Sequence, residues 1–99
     1  MASEYTEITS SEELVRALEE SAQRDVLFFK HSNSCGISDR ALREFQKYLA
    51  SAESLRAVHY LITVQQARTA SNELARRLGV QHESPQAILV RNEIGRAHV

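Results

Sequence analysis

Cys35 is the one cysteine of the 99-residue chain, and its neighbours decide what it can do. It follows a polar stretch, His31-Ser32-Asn33-Ser34, and precedes Gly36, where a helical pattern of apolar residues begins. A cysteine at a helix N-terminus faces unpaired backbone N–H groups and the positive end of the helix dipole. Both favour thiolate over thiol, and the thiolate is the form that attacks disulfides. Lys30 and Arg40 are near in sequence and would add positive charge. Ser38 stands three residues on, where a dithiol Cys-x-x-Cys site carries its second cysteine, and is placed to hydrogen-bond the sulfur or cap the helix. Such a site is monothiol: any disulfide it forms is mixed, and a second molecule must resolve it. Lone cysteines are commonly buried as small hydrophobes. The polar residues before Cys35 and the glycine after it argue for an accessible one.

The other candidates carry less. His31 either polarises the cysteine loop or is a solvated loop histidine, the commoner role. His59 reads as a strand residue flanking the core. The four histidines share no metal-ligand spacing with one another or with Cys35, so no metal site is expected. Glu12-Glu13 and Glu19-Glu20 read as solvated helix faces. Pro85 precedes an apolar run, where a proline must occupy the first position of a strand or an edge because it has no N–H to donate.

The elements that position these residues follow from hydrophobic period. Tyr5–Ile8 alternates weakly, as a short strand. Thr9, Ser10 and Ser11, followed by Glu12 and Glu13, form a helix start, and Leu14, Ala17, Leu18 and Ala22 predict a helix over about 11–22. Val26-Leu27-Phe28-Phe29 is a strand buried on both faces. Ile37, Ala41, Leu42, Phe45, Tyr48 and Leu49 predict a helix over about 35–50, with these six on its inner face. Residues 57–64 form the next strand. A third helix spans about 66–78, with Ala67, Ala70, Leu74 and Leu78 inward and Gly79 ending it. A strand at 86–90, a turn at Arg91-Asn92-Glu93 and a short strand near 96–99 complete the order β-α-β-α-β-α-β-β. This alternation predicts an α/β fold with a mixed central sheet of four to five strands and helices on its faces.

Length fits one domain over residues 1–99, and 42% hydrophobic with 25% charged residues is the balance of a soluble globular chain. A net charge of -1 gives no electrostatic reason to bind nucleic acid or an anionic membrane. No apolar run approaches the roughly 18 residues of a membrane span, and Met1-Ala2-Ser3-Glu4 lacks a signal-peptide pattern, so a cytoplasmic location is expected.

Phe28-Phe29-Lys30-His31-Ser32-Asn33-Ser34-Cys35-Gly36-Ile37-Ser38, with Ser84-Pro85-Gln86-Ala87 downstream, resembles the YtxJ-type monothiol bacilliredoxins, which are thioredoxin-like. The resemblance runs from the first helix to the last hairpin, and the Lys-His-Ser-x-x-Cys-x-Ile-Ser string is its specific part. It implies reduction of mixed disulfides between client proteins and bacillithiol, a low-molecular-weight thiol acting as co-substrate, with no cofactor bound. Cys35 would be the attacking thiol, supported by His31, Ser34, Gly36 and Ser38. Pro85 would be a cis proline against the active site, and Ser84 would present backbone to the incoming disulfide, as in β-strand addition.

Two departures from that family bear on function. Gly36 replaces the usual proline, and Cys-Gly-Ile-Ser is similar to the Cys-Gly-Phe-Ser motif of monothiol glutaredoxins. Those proteins share a [2Fe–2S] cluster between two subunits, so a cluster carrier is the alternative reading and a non-catalytic thioredoxin-like binding module a third. Thioredoxin-like domains also usually finish with a helix after the last hairpin. The sequence here stops at His98-Val99, so the fold is expected to lack that C-terminal helix. The uncovered apolar face would favour a homodimer, an expectation that a monomer in concentrated ultracentrifugation would overturn.

Overall fold

The computed structural model describes residues 4–34 and 36–92, and the backbone of 94–98. Among the described residues nine elements follow one another. Strand β1 is Tyr5–Glu7, helix α1 is Ser11–Glu20, strand β2 is Asp25–His31 and helix α2 is Gly36–Leu49. A 3-10 turn, Ala52–Arg56, leads into β3 at Ala57–Thr63. Helix α3 is Arg68–Leu78, and β4 (Gln86–Arg91) and β5 (Ile94–His98) close the chain as a hairpin. The strands form one sheet in the order β1-β3-β2-β4-β5. β3 runs parallel to both β1 and β2, whereas β4 is antiparallel to β2 and to β5.

This order fixes where the helices go. The chain crosses the sheet in one direction from β1 to β2, then steps back to β3. Right-handed crossovers in opposite directions must lie on opposite faces. Accordingly α1 and α3 cover one face, where Leu14, Ala17, Leu18, Ala70 and Leu74 meet Val26, Phe28, Ile62, Ile88 and Val90. On the other, Phe45 and Leu49 of α2 meet Phe29 and Leu61. β2 is the middle strand, so its side chains alternate between two buried environments: Val26, Phe28 and Lys30 toward α1 and α3, Leu27, Phe29 and His31 toward α2.

Local chemistry sets the boundaries. Ser10 caps α1 with a full capping box. Its Oγ accepts the Glu13 N–H at 3.2 Å, and the Glu13 carboxylate accepts the N–H groups of Ser10 and Thr9 at 3.1 and 2.9 Å. Gly79, at φ 64°, supplies the left-handed residue that ends α3. α3 begins two residues later than its apolar pattern suggests, because residues 64–66 form a turn in which Gln66 and Ala67 both donate to the Thr63 carbonyl.

Two residues depart from the helical reading: Ala22 lies in the turn after α1 and is exposed, and Ile37 turns outward. Ile37 is not on the inner face of α2; it is 71% exposed, and Ser38 is the buried residue of the first turn. At 100° per residue, Ser38, Leu42, Phe45 and Leu49 define the centre of the buried stripe. Ala41 and Tyr48 flank it, and Ile37 lies beyond the flank.

Candidate functional site

β2 ends at His31 and α2 starts at Gly36, so the residues picked out by sequence cluster at one strand-to-helix junction. Cys35 falls within this junction in the sequence and lies outside the described residues. What surrounds it in the chain is tightly specified. Ser38, fully buried, accepts the backbone N–H of Ser32 at 3.2 Å, so it ties the loop to the helix instead of capping α2 from its own first turn. Ser34 is exposed, and its Oγ lies 3.2 Å from the Ser32 Oγ. Gly36 is exposed with open space around it, so nothing there demands a missing side chain.

The residue that organises this loop is one that sequence reading missed. Gln65, in the turn after β3, donates from Nε2 to Ser32 Oγ at 2.7 Å and to Ser34 Oγ at 3.1 Å. Its Oε1 accepts the Asn33 N–H at 3.1 Å. One amide thus braces three consecutive loop residues from 31 to 33 positions away, and no local signal at Gln65 betrays it. Gln65→Ala removes all three bonds, each contributing on the order of 0.5–1.5 kcal/mol. The expected result is faster amide exchange at Asn33 and a three- to tenfold loss, roughly, in thiol-exchange rate at Cys35. Gln65→Glu, which keeps only the acceptor, should fall between. Stopped-flow thiol exchange beside amide-exchange NMR checks both.

His31 is not a solvated loop residue. It is the last residue of β2, 6% exposed, and faces α2. Its Nε2 approaches the Asp39 carboxylate of the first α2 turn at 3.8 Å, and its Nδ1 is buried without a hydrogen-bond partner among the described residues. Leaving a buried polar atom unpaired costs about 1–3 kcal/mol, a cost concentrated at this end of the sheet. His59 is likewise buried, on the α2 face. Its Nε2 lies 2.9 Å from the Tyr48 hydroxyl and its ring packs on Phe45 and Tyr48. Burial holds its pKa below the ordinary imidazole value.

Lys30 contributes no charge on the α2 side. As the neighbour of His31 on an alternating strand it points to the opposite face, where it is fully buried. Its Nζ donates to the Ser71 carbonyl of α3 at 3.1 Å and lies 3.2 Å from Nδ1 of His82. Desolvation lowers its pKa from 10.5 to about 8. Below pH 8 both folded and unfolded chains hold the proton, and the native state bears the full burial penalty. Between pH 8 and 10.5 the unfolded lysine is still protonated while the folded one has released its proton. The unfolded state then binds more protons, so this group's contribution to stability rises with pH. Urea unfolding at pH 8 and pH 10 should show a relative gain in the wild type that Lys30→Met lacks. Tyr60, held up to about 12, titrates oppositely and is common to both proteins.

The register brings Ser84 and Pro85 to the same end of the sheet. Lys30 pairs with Gln86, the first residue of β4, so the residues just before Gln86 lie beside the strand end at His31. The Ser84–Pro85 peptide is cis, and both residues are half-buried. The junction on the α2 side and the Ser84–Pro85 segment on the β4 side therefore flank one strand end.

On the α2 face, Leu27, Phe29, Ala41, Phe45, Tyr48 and Ala87 line a shallow, almost wholly apolar groove of about 330 Å³. Phe29 and Phe45 stack at its base with centroids 4.7 Å apart.

A model of the monothiol bacilliredoxin BrxC family matches residues 6–98. A solved protein described as a provisionally assigned oxidoreductase with a thioredoxin fold shares 30% identity, with a TM-score of 0.80, over 95% of this chain and 80% of its own. Thioredoxin of Malassezia sympodialis superposes with a TM-score of 0.77 at 15% identity, over 100% of this chain and 80% of its own. Reduced thioredoxin of Schistosoma mansoni gives 0.73 at 20% identity, over 98% and 86%. The last two show the shared fold alone.

Proposed function

Because the chain belongs to the monothiol bacilliredoxin family, whose members are thiol oxidoreductases of thioredoxin fold, we propose that it removes bacillithiol from client proteins through Cys35. The observation that carries this reading is the junction itself. In sequence the chain's one cysteine comes just before α2 and just after Ser32–Ser34, which Ser38 and Gln65 brace beside the Ser84–Pro85 segment.

The chemistry balances with one cysteine. The Cys35 thiolate attacks the bacillithiol sulfur of a client–bacillithiol disulfide. The Cys35–bacillithiol disulfide forms, the client sulfur leaves as thiolate, and it takes a proton from water. A second low-molecular-weight thiol then attacks the bacillithiol sulfur, releasing the small-molecule disulfide and the Cys35 thiolate. No electrons are gained or lost beyond this exchange. The N-terminal turn of α2 favours the thiolate in both steps, since its free N–H groups and dipole stabilise the anion that attacks and later leaves.

The client would approach along the Ser84–Pro85 segment, and exposed Ile37, two residues after the cysteine in the chain, offers an apolar contact. A cytoplasmic setting, where small thiols maintain reducing conditions, fits a cysteine that must be returned to the thiol after each cycle.

Intact-mass analysis tests the reading. Reduced protein mixed with a bacillithiol-modified client should gain the mass of one bacillithiol, whereas a glutathione-modified client should transfer little. Equal transfer from both would make the small-thiol specificity wrong, and transfer from neither would overturn the proposed activity.

A further inference from the structure

The segment between α3 and β4 carries Ser84 and Pro85, yet its own backbone does little to hold it. Among the described residues, 81–85 is tied by side-chain hydrogen bonds alone. Gln86 Nε2 donates to the Gln81 carbonyl at 3.0 Å, and His82 Nδ1 meets Lys30 Nζ at 3.2 Å and Ser71 Oγ at 3.4 Å. Of these partners Lys30 is the one fixed in the middle strand of the sheet. It is fully buried in the middle strand, its backbone pairs with Gln86, and its ammonium is also anchored to the Ser71 carbonyl.

We propose that Lys30 and His82 are positioning residues, a clamp that locks the Ser84–Pro85 edge against the strand leading into the Cys35 loop. The role in client docking rests on the proposed function above; the clamp itself rests on geometry.

The chemistry of the pair is one-directional. An ammonium has three donors and no acceptor, so Nδ1 of His82 must accept and the ring proton sits on Nε2. Burial first, then the charges of Lys30 and Arg68, hold His82 below its ordinary pKa against the opposing pull of Glu83, which keeps Nδ1 available. Lys30 has a reach the loop could not supply itself. Its backbone sits one residue before His31, so a shift of the loop is felt at the strand end from which the cysteine loop departs. A client chain that must place its disulfide over Cys35 while lying along Ser84–Pro85 needs both edges at a fixed separation, and this pair spans them.

Three variants separate the contributions. His82→Phe keeps a ring and loses the acceptor, His82→Asn keeps an acceptor near the Nδ1 position, and Lys30→Met keeps the buried volume and loses the donor. In the wild type, nitrogen-15 shifts of the His82 ring should report the Nε2–H tautomer with Nδ1 hydrogen-bonded. Amide exchange at Gln86 and Ala87, where β4 starts between β2 and β5, should quicken about tenfold in His82→Phe and Lys30→Met and stay near wild type in His82→Asn. KM for a bacillithiolated client should rise roughly three- to tenfold in the first two, with kcat and the alkylation rate of Cys35 within about twofold. Unchanged exchange in His82→Phe would overturn the clamp. Faster exchange with an unchanged KM would overturn its role in docking. If the wild type transfers no adduct at all, the proposed function fails by itself, and the ring shifts and exchange rates still uphold or overturn the clamp.

Discussion

Cys35→Ser should abolish transfer of a bacillithiol adduct, leaving no mass gain on the protein and a client that stays modified. The loss in rate should be at least on the order of a thousandfold, because a serine hydroxyl is not ionised near neutral pH and a nucleophile must carry the negative charge to attack a disulfide sulfur. With a single cysteine in the chain, no other thiol can substitute. The substitution exchanges sulfur for oxygen in a loop whose bracing runs through Ser32, Asn33, Ser34, Ser38 and Gln65. Those bonds do not pass through position 35, so stability should change little. Thermal melts alongside the mass assay make the distinction. Lost transfer with an unchanged melt locates the chemistry at Cys35, whereas retained transfer would mean that the reaction does not pass through it.

The second large effect is on the fold. Phe28 is fully buried at the centre of the middle strand, where it pairs with Tyr60 on β3 and Ile88 on β4 and stacks on Tyr60 with centroids 5.6 Å apart. Phe28→Ala should cost about 3–5 kcal/mol, the loss of transferred surface plus a cavity that sheet and helices cannot close. A domain of this length has a total stability of roughly 5–10 kcal/mol, so much of it would go. The midpoint of urea unfolding should fall sharply with little change in slope. Phe29→Ala is the informative comparison. Phe29 faces α2 and lines the open apolar groove, so solvent and neighbouring side chains can relax into the vacated space. Its cost should be smaller, about 3 kcal/mol, the low end for such a truncation. Equal losses would mean that the groove closes over Phe29 in solution.

These two phenylalanines also mark where sequence reading stops. The run Val26–Phe29 is apolar at every position, which requires a strand covered on both sides. The same run cannot say which helix covers which side. That depends on the strand order β1-β3-β2 and on crossover handedness, which no window of sequence contains. Lys30 shows the consequence. Near the cysteine in sequence, it reads as a charge for the thiolate. The alternation of β2 places it on the far face, with Ser71 and His82.

What the sequence determined by itself is therefore local. The order of the elements, a capped start of α1 within Thr9–Ser11, the ending of α3 by Gly79 and the place of Cys35 directly before a helix all follow from period and from residues that start or stop a helix. The family was legible as well, because its most specific string, Lys30 to Ser38, is continuous. Tertiary structure decided everything that joins distant positions: Gln65 to Ser32 across 33 residues, and Lys30 to His82 across 52. It also turned Ile37 outward and Ser38 inward, and buried His31. The reason is physical. Backbone propensity and amphipathic period act over a few residues, whereas a hydrogen-bond partner is chosen by which loop the sheet topology happens to set beside it.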